Sequence, residues 1–271
     1  GTLKRRDFLI LAASQTAIAA GRTRKAGKVE TMFKSPGPKP NGLQATDDGL
    51  WIIDQGNNRA YLVNYSDGKV TREFNTAADK ASGIGFDGEA IWLASTYSRE
   101  IIRADARTGK TLGKYFTPGA GVIYRMPADP PGRISPLEPM PLIPPQRQAI
   151  LERNSRPRLG TGAHGLDWRE GKLWVAVPPS RSIYCINPGT WIVESKFSTA
   201  GNRPHGIGWE GKWLWCTDSN MNAFYKHDPE TGEIMEKIQL AETDPLPHGM
   251  TIWRGAIWYC DDVGVVCRLT L

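Results

Sequence analysis

The chain has 271 residues, 40% of them hydrophobic, and it carries 34 lysines and arginines against 28 aspartates and glutamates, a formal net charge of +6. This is enough apolar material for one packed domain. Seven of the basic residues and one acidic residue fall within residues 1–28, so the rest of the chain holds 27 of each and is neutral. That balance excludes a basic surface for nucleic acid on the folded part.

Residues 1–20 have the pattern of an export signal peptide. Lys4-Arg5-Arg6-Asp7-Phe8-Leu9 precedes an apolar run that ends at Ala20 and includes Ala17-Ile18-Ala19. A basic region, a hydrophobic region and a small-residue cleavage pattern define such signals, and the run is too short for an ordinary membrane span. Two arginines followed by Phe-Leu resemble a bacterial twin-arginine (Tat) signal, which implies a periplasmic or secreted protein. The alternative is a short amphipathic anchor.

Residues 27–34 predict a β-strand that has no partner before it in the chain. Its sequence, Gly27-Lys28-Val29-Glu30-Thr31-Met32-Phe33-Lys34, matches the pattern of residues 68–74. The latter segment ends a repeating unit of four strands, whereas the final unit of the chain stops at Leu271 after only three. We therefore expect the N-terminal strand to complete the final unit and to close the repeats into a ring without an exposed edge.

From residue 41 onward, a polar residue followed by glycine and a short apolar strand recurs five times, with one gap of double length. The five pairs are Asn41-Gly42, Ser82-Gly83, His164-Gly165, His205-Gly206 and His248-Gly249. A period of about 40 residues is typical of repeat architectures, in which equivalent positions become neighbours around an axis. Three of the four histidines of the chain occupy this one position, so the pattern predicts that they converge.

Each unit continues with an apolar-Trp phrase, a third strand, an Asp/Asn-x-x-x-Gly turn and a fourth strand. The phrases are Leu50-Trp51, Ile91-Trp92, Leu173-Trp174, Leu214-Trp215 and Ile257-Trp258. Short strands rich in β-branched and aromatic residues, separated by Gly and Asp turns, indicate β structure. Four strands per period is one blade of a β-propeller. The sequence therefore predicts an all-β, five-bladed propeller that forms a single domain over residues 21–271.

The double-length gap, between Ser82-Gly83 and His164-Gly165, is long enough for a sixth blade. Residues 118–160 contain ten of the 20 prolines of the chain, no apolar-Trp phrase and no alternating strand. Proline cannot donate to a strand ladder. We therefore predict a Pro-rich insertion that emerges on the face of the polar–glycine pairs and lies over the channel mouth, because loops of this length are usually functional or disordered.

The repeat also predicts which residues form a site at that mouth. Asp54, Asp218 and Asp261 lie three residues after the tryptophans of blades 1, 4 and 5, next to the histidine ring. Neutral imidazoles with carboxylate partners are a common metal shell, and a histidine polarised by an aspartate can act as a general base. We expect His164, His205 and His248 to hold a divalent metal. His205, His248, Asp218 and Asp261 are the predicted catalytic residues, and the predicted ligand-binding residues are Asn41, Ser82, Asp54, Tyr97 and Arg99. In the alternative, the histidines only bond neighbouring strands.

Three segments of the fourth unit resemble a known family. They are Pro204-His205-Gly206-Ile207, Leu214-Trp215-Cys216-Thr217-Asp218 and Asp228-Pro229-Glu230-Thr231-Gly232. They resemble the repeats of streptogramin B lyase-like (virginiamycin B lyase-like) propellers, in which a Pro-x-Gly-Ile start, a Trp-Phe-Thr-Glu strand and a Pro-x-Thr-Gly turn recur. The resemblance covers residues 28–271 as a pattern. It implies Mg²⁺, histidine and glutamate side chains, and opening of a cyclic depsipeptide by elimination. This chain departs from the family in having five blades instead of seven and Asp where the strand ends in Glu.

These observations lead to one main expectation and two alternatives. The main expectation is an exported propeller enzyme, a metal-assisted lyase or an ester- or lactone-opening enzyme, that acts on a small and possibly anionic molecule at the histidine-lined mouth. The first alternative is a non-catalytic propeller that binds a ligand or a protein. The second is a transferase similar to five-bladed glutaminyl cyclases.

Overall fold

The computed structural model describes residues 21–121, 160–261 and 263–271. The predicted export signal and nearly all of the predicted insertion lie outside the described residues. The described residues form 21 strands and one short 3₁₀ turn at Pro178–Ser180. In chain order the strands are β1 (Arg22–Lys25), β2 (Val29–Lys34), β3 (Pro40–Thr46), β4 (Gly49–Asp54), β5 (Arg59–Val63), β6 (Val70–Asn75), β7 (Ala81–Phe86), β8 (Ala90–Ser95), β9 (Glu100–Asp105), β10 (Thr111–Phe116), β11 (Leu166–Arg169), β12 (Lys172–Val177), β13 (Ser182–Ile186), β14 (Val193–Ser198), β15 (Pro204–Glu210), β16 (Trp213–Asp218), β17 (Ala223–His227), β18 (Ile234–Gln239), β19 (Met250–Trp253), β20 (Ala256–Cys260) and β21 (Val265–Thr270).

The strands form five separate sheets, one for each predicted repeat. From the inside outward, blade 1 is β3–β4–β5–β6, blade 2 is β7–β8–β9–β10, blade 3 is β11–β12–β13–β14, blade 4 is β15–β16–β17–β18 and blade 5 is β19–β20–β21–β2. Each innermost strand contacts the innermost strand of the next blade, and β19 contacts β3, which closes the ring. The prediction of a five-bladed β-propeller is confirmed. No helix among the described residues is long and apolar enough to cross a membrane.

The N-terminal strand closes the ring as predicted. β2 pairs antiparallel with β21, from Val29 opposite Leu269 to Lys34 opposite Val265. The preceding strand β1 was not predicted, and it adds to β18 in parallel as a fifth strand of blade 4. Arg24 of β1 forms an ion pair with Glu236 of β18. The N-terminal segment therefore covers the outer edge of blade 4 before it completes blade 5, so it ties two adjacent blades together.

The glycines of the repeated pairs are explained by the close approach of the innermost strands. A β-carbon added to Gly83 would overlap the carbonyl oxygen of His164, and one added to Gly165 would overlap that of His205. The same holds around the whole ring, where Gly42 faces Gly83, Gly206 faces Gly249 and Met250, and Gly249 faces Asn41. Glycine is therefore required because five strands meet around the axis with no space for a side chain between them.

A second set of glycines lies in the turns between the third and fourth strands of the blades. Gly68, Gly109 and Gly232 have positive φ angles of 71°, 75° and 78°, and each lies against a phenylalanine of the preceding blade. Blade 3 departs from this pattern because Trp191 takes the equivalent position with φ of 59°. Its ring stacks on Tyr115 with centroids 4.3 Å apart, and its indole N–H donates to the Phe116 carbonyl at 2.8 Å. These contacts offset a backbone strain of about 1–2 kcal/mol for a left-handed non-glycine residue.

The hydrophobic core consists of five clusters, one between each pair of adjacent blades, and a smaller sixth cluster beside blade 4. The repeated tryptophans belong to it as expected, since Trp51, Trp92 and Trp215 are at most 2% exposed. A buried histidine, His227, lies between blades 3 and 4 with its ring 5.0 Å from Phe197. Burial lowers the pKa of His227 to about 4, partly offset by its contact with the Gly232 carbonyl. The fourth histidine thus has a packing role away from the axis.

Candidate functional site

The three histidines of the repeat meet at the propeller axis. The ring centroids of His164 and His205 are 4.6 Å apart and those of His205 and His248 are 4.9 Å apart, with interplanar angles of 89° and 81°. The imidazoles therefore contact each other edge to face, in a row that spans blades 3, 4 and 5. Asn41 and Ser82 hold the equivalent positions in blades 1 and 2. These two residues and the three histidines are the five ring residues. The predicted convergence is what the structure shows.

Backbone geometry aims these side chains inward. The strand register shifts next to the ring position in blades 1, 2 and 4, between Pro40 and Gly42, Ala81 and Gly83, and Pro204 and Ile207. Such bulges re-aim a side chain. In blade 5 the His248 N–H donates to the Cys260 carbonyl at 2.9 Å, and the Cys260 N–H donates to Gly249 at 3.0 Å. Each ring residue is thus held by the second strand of its own blade.

The five residues at the repeated position are buried. All five ring residues are at most 3% exposed. The physical reason is the close approach of the five innermost strands, which leaves the ring side chains to fill the axis themselves. Rim contacts close the site further, because the Ser219 hydroxyl donates to the Pro247 carbonyl at 2.7 Å and the Thr96 hydroxyl donates to Ala163 at 2.8 Å.

The three aspartates that follow the tryptophans accept hydrogen bonds from the backbone of turns. The Asp218 carboxylate accepts backbone N–H groups from Arg203, Asn220 and Met221, each at 3.0 Å. Asp54 accepts those of Lys39, Gly56 and Asn57 at 2.6–3.0 Å. Asp261 does the same through one oxygen for Val263, Gly264 and Val265 at 2.9–3.1 Å.

This geometry explains why aspartate recurs at that position. Its short side chain reaches the backbone of the turn two and three residues later, as in Asx turns. In blades 1 and 4 it also binds the segment that leads into the innermost strand. Burial raises the pKa of Asp218, and the backbone donors Met221 and Arg203 oppose that rise. Since both Asp218 oxygens already accept hydrogen bonds, the arrangement gives no support to its predicted role as a base.

Asp218→Ala is expected to destabilise the fold by about 2–4 kcal/mol, because three buried N–H groups lose their acceptor. Urea unfolding followed by tryptophan fluorescence measures this change. Asp105→Ala is a matched control at an exposed turn, where Arg107 and Thr108 can turn to water. Normal stability of Asp218→Ala together with lost activity would return Asp218 to the catalytic set.

The predicted ligand-binding residues lie at and around the ring. The Ser82 hydroxyl accepts from the Gln55 amide at 3.0 Å, and Asn41 is 3% exposed. Tyr97 is 38% exposed, on the loop between β8 and β9, and Arg99 on the same loop is exposed with φ of 61°.

The ends of the predicted insertion lie beside Arg99. Thr117 donates its N–H to the Arg99 carbonyl at 3.0 Å, and Gly162 donates to Thr96 at 2.8 Å. Gly121 and Thr161 pair with each other through two backbone hydrogen bonds. The insertion therefore emerges on the face that carries Tyr97 and Arg99, as predicted.

The described arrangement is not a preformed metal site. Within residues 21–121, 160–261 and 263–271, no group of three or more His, Cys, Asp and Glu side chains is arranged to hold a metal ion. The imidazoles contact one another edge to face, and the aspartate carboxylates bind backbone N–H groups. The expected divalent metal therefore stays a prediction, which metal analysis of the purified protein tests.

One polar position in the channel was missed. Three residues after each ring residue, the innermost strands carry Gln44, Gly85, Asp167, Gly208 and Thr251. Asp167 is 7% exposed, and burial raises its pKa to about 7 against the opposing effects of the Trp168 N–H, the Gln44 amide and Arg169. The sequence does contain a signal for this position. In every repeat it holds a polar residue or a glycine between two apolar residues.

The comparisons with known proteins support the fold. No family model and no curated protein matches the chain. A glutaminyl cyclase structure from Myxococcus xanthus is similar, with a TM-score of 0.61 and 9% identity over 93% of this chain and 97% of that chain. A catalytically inactive virginiamycin B lyase from Staphylococcus aureus with quinupristin has a TM-score of 0.49 and 20% identity, over 88% of this chain and 68% of that chain. A streptogramin B lyase has a TM-score of 0.47 and 18% identity, over 90% of this chain and 98% of that chain. The similarity to the glutaminyl cyclase supports the five-bladed β-propeller fold.

Proposed function

We propose that this propeller is an enzyme in which the imidazole cluster of His164, His205 and His248 performs acid–base chemistry on a small molecule, by elimination or by opening an ester or lactone. The observation that carries the proposal is that the fold does not need histidine at this position. Blades 1 and 2 place Asn41 and Ser82 there. Three titratable rings in contact, buried where a smaller polar residue suffices, are typical of functional sites.

The packing of the rings supports a shared proton. Two protonated imidazoles with centroids 4.6–4.9 Å apart would repel each other by about 3–4 kcal/mol at an effective dielectric constant of about 20. Repulsion of this size disfavours the protonation of two neighbouring rings at the same time. An imidazole of one blade can thus remove a proton from the substrate, while an imidazole of the next blade acts as the acid.

Substrate would approach from the face that carries Tyr97 and Arg99. An arginine at this rim suits a substrate with a carboxylate or phosphate group. Because the imidazoles are at most 3% exposed, binding requires the rim residues around Thr96 and Ser219 to move. Such motion is common in enzymes that exclude water from their reaction.

His205→Ala removes the central imidazole and is expected to lower the rate of any detected reaction at least about 100-fold, in line with the loss of a general acid or base. A panel of esters, lactones and cyclic depsipeptides is assayed by mass spectrometry, since hydrolysis adds one water and elimination adds none. His227→Gln is the matched control, because it removes a buried histidine that packs between blades 3 and 4, away from the axis. Unchanged activity in His205→Ala, with no metal bound to the purified protein, would refute the proposal and the expected divalent metal together.

Two other functions rest on specific observations. The burial of the whole ring favours a non-catalytic propeller that binds its ligand at the rim, and this function predicts ligand binding that His205→Ala leaves intact. The full-length match to a glutaminyl cyclase favours a transferase similar to it. Formation of pyroglutamate from a peptide with N-terminal glutamine is the direct test for the latter.

We also propose that the protein is exported by the twin-arginine route, on the basis of Lys4-Arg5-Arg6-Asp7-Phe8-Leu9 and the apolar run that follows. Replacement of both arginines by lysine should retain the protein in the cytoplasm of a bacterial host, as measured by cell fractionation. Export that is unaffected by this change would contradict the route.

A further inference from the structure

A second polar level lies on the propeller axis, separate from the imidazole cluster. Gln44, Asp167 and Thr251 project from the innermost strands of blades 1, 3 and 5, and Gly85 and Gly208 take the same position in blades 2 and 4. The three oxygen-bearing side chains are at most 9% exposed. The level is about 10 Å from the histidines, since a strand rises about 3.3 Å per residue.

Gln44 and Asp167 meet across the blade that separates them. A β-carbon added to Gly85 would lie 3.8 Å from both the Gln44 amide oxygen and the Asp167 α-carbon, so the Gln44 side chain passes over Gly85. The Gln44 amide N–H₂ donates to the Ala45 carbonyl at 3.1 Å, and the Gln44 amide lowers the pKa of Asp167 against the effect of burial. The Gln44 amide oxygen is buried and has no hydrogen-bond partner among the described residues.

The Asp167 carboxylate forms no ion pair with a described side chain. Arg169, whose charge lowers the pKa of Asp167, turns toward blade 4, where its guanidinium stacks on Trp209 at 4.4 Å and binds the Gly211 carbonyl. The remaining oxygen at this level belongs to Thr251, whose hydroxyl accepts the Ala45 N–H at 3.0 Å. The level therefore combines a buried carboxyl group with an amide oxygen that has no hydrogen-bond partner among the described residues.

We propose that Asp167 and Gln44, with Thr251 at the same level, form a binding site for a small hard cation on the propeller axis. Carboxylate, amide and hydroxyl oxygens are the ligands that Ca²⁺, Mg²⁺ and Na⁺ prefer. The cation compensates the carboxylate charge that burial disfavours and uses the Gln44 oxygen. A proton and the cation compete for the same carboxylate, so binding releases a proton and weakens in acid. The site does not depend on the proposed chemistry at the histidines.

Thermal unfolding of the purified protein tests this proposal. Chelator-treated protein is titrated with CaCl₂, MgCl₂ or NaCl, and choline chloride serves as the ionic-strength control. At about pH 8.5 one of these cations should raise the Tm of the wild type by several degrees, and at about pH 5.5 the rise should shrink. Asp167→Asn should abolish the rise and Gln44→Leu should reduce it, whereas Asp105→Asn and His205→Ala should retain it.

Two results would overturn the cation site. One is a wild-type Tm that responds to none of the three cations more than to choline. The other is an Asp167→Asn response equal to that of the wild type. If Asp167→Asn does not fold, Gln44→Leu and isothermal titration of the wild type decide the question. His205→Ala separates the two proposals, because it removes the proposed acid–base group and leaves the cation site intact.

Discussion

Gly83→Ala is expected to prevent the propeller from closing, with no folded protein recovered or a loss of stability above about 4 kcal/mol. The added methyl group would overlap the carbonyl oxygen of His164 in the next blade. That oxygen belongs to the backbone segment just before β11, which backbone hydrogen bonds between His164, Gly165 and Ala176 tie to the second strand of its blade. Circular dichroism and urea unfolding of the purified variant measure the effect.

Gly85→Ala is the matched control for this prediction. It lies two residues further along the same strand β7, and its added methyl group would meet neighbouring atoms only at 3.6–3.8 Å, an ordinary contact distance. We expect a change in stability within about 1 kcal/mol, since alanine also restricts the unfolded chain. An equal loss of stability in both variants would show that neither glycine position tolerates a side chain. Contact between blades would then not be the cause.

The sequence predicted the fold well because each blade repeats the same physical requirements. Glycine recurs where innermost strands touch, and tryptophan recurs where blades pack, so the period and the blade count follow from the spacing alone. The catalytic role of Asp218 stays a prediction for a related reason. A carboxylate three residues after tryptophan has the same spacing whether it binds a histidine or the backbone of the turn, and only the direction of the side chain distinguishes the two.

The burial of the histidine ring and the importance of Asp167 were not predictable from pattern alone. Both depend on how closely five strands approach the axis, which no single repeat encodes. β1 was missed because the four residues Arg22–Lys25 have no alternating apolar pattern. Their pairing is with β18, at the outer edge of blade 4, and the Arg24–Glu236 ion pair accompanies it.

Asp167→Asn is expected to stabilise the protein in alkaline solution and to leave it nearly unchanged in acid. The folded protein holds the Asp167 proton with a pKa of about 7, against a usual value of 3.8. Between these values the folded state binds more protons than the unfolded state, so the contribution of Asp167 to stability is complete below 3.8 and is lost as the pH rises through 7. The loss approaches about 4 kcal/mol above pH 7, and asparagine, which does not titrate, avoids it.

Urea unfolding across about pH 4 to 9 in chelator-treated, choline-based buffer measures this difference without a competing cation. The gap between Asp167→Asn and the wild type should open from about pH 4 and become constant above about pH 7. His227 supplies the internal reference, because its pKa is lowered to about 4 and its stabilisation is therefore lost as the pH falls from about 6.5 through 4. That acid limb should be the same in both proteins and should disappear in His227→Gln. Parallel profiles for Asp167→Asn and the wild type over the whole range would mean that Asp167 is ionised in the fold, and that the channel already compensates its charge.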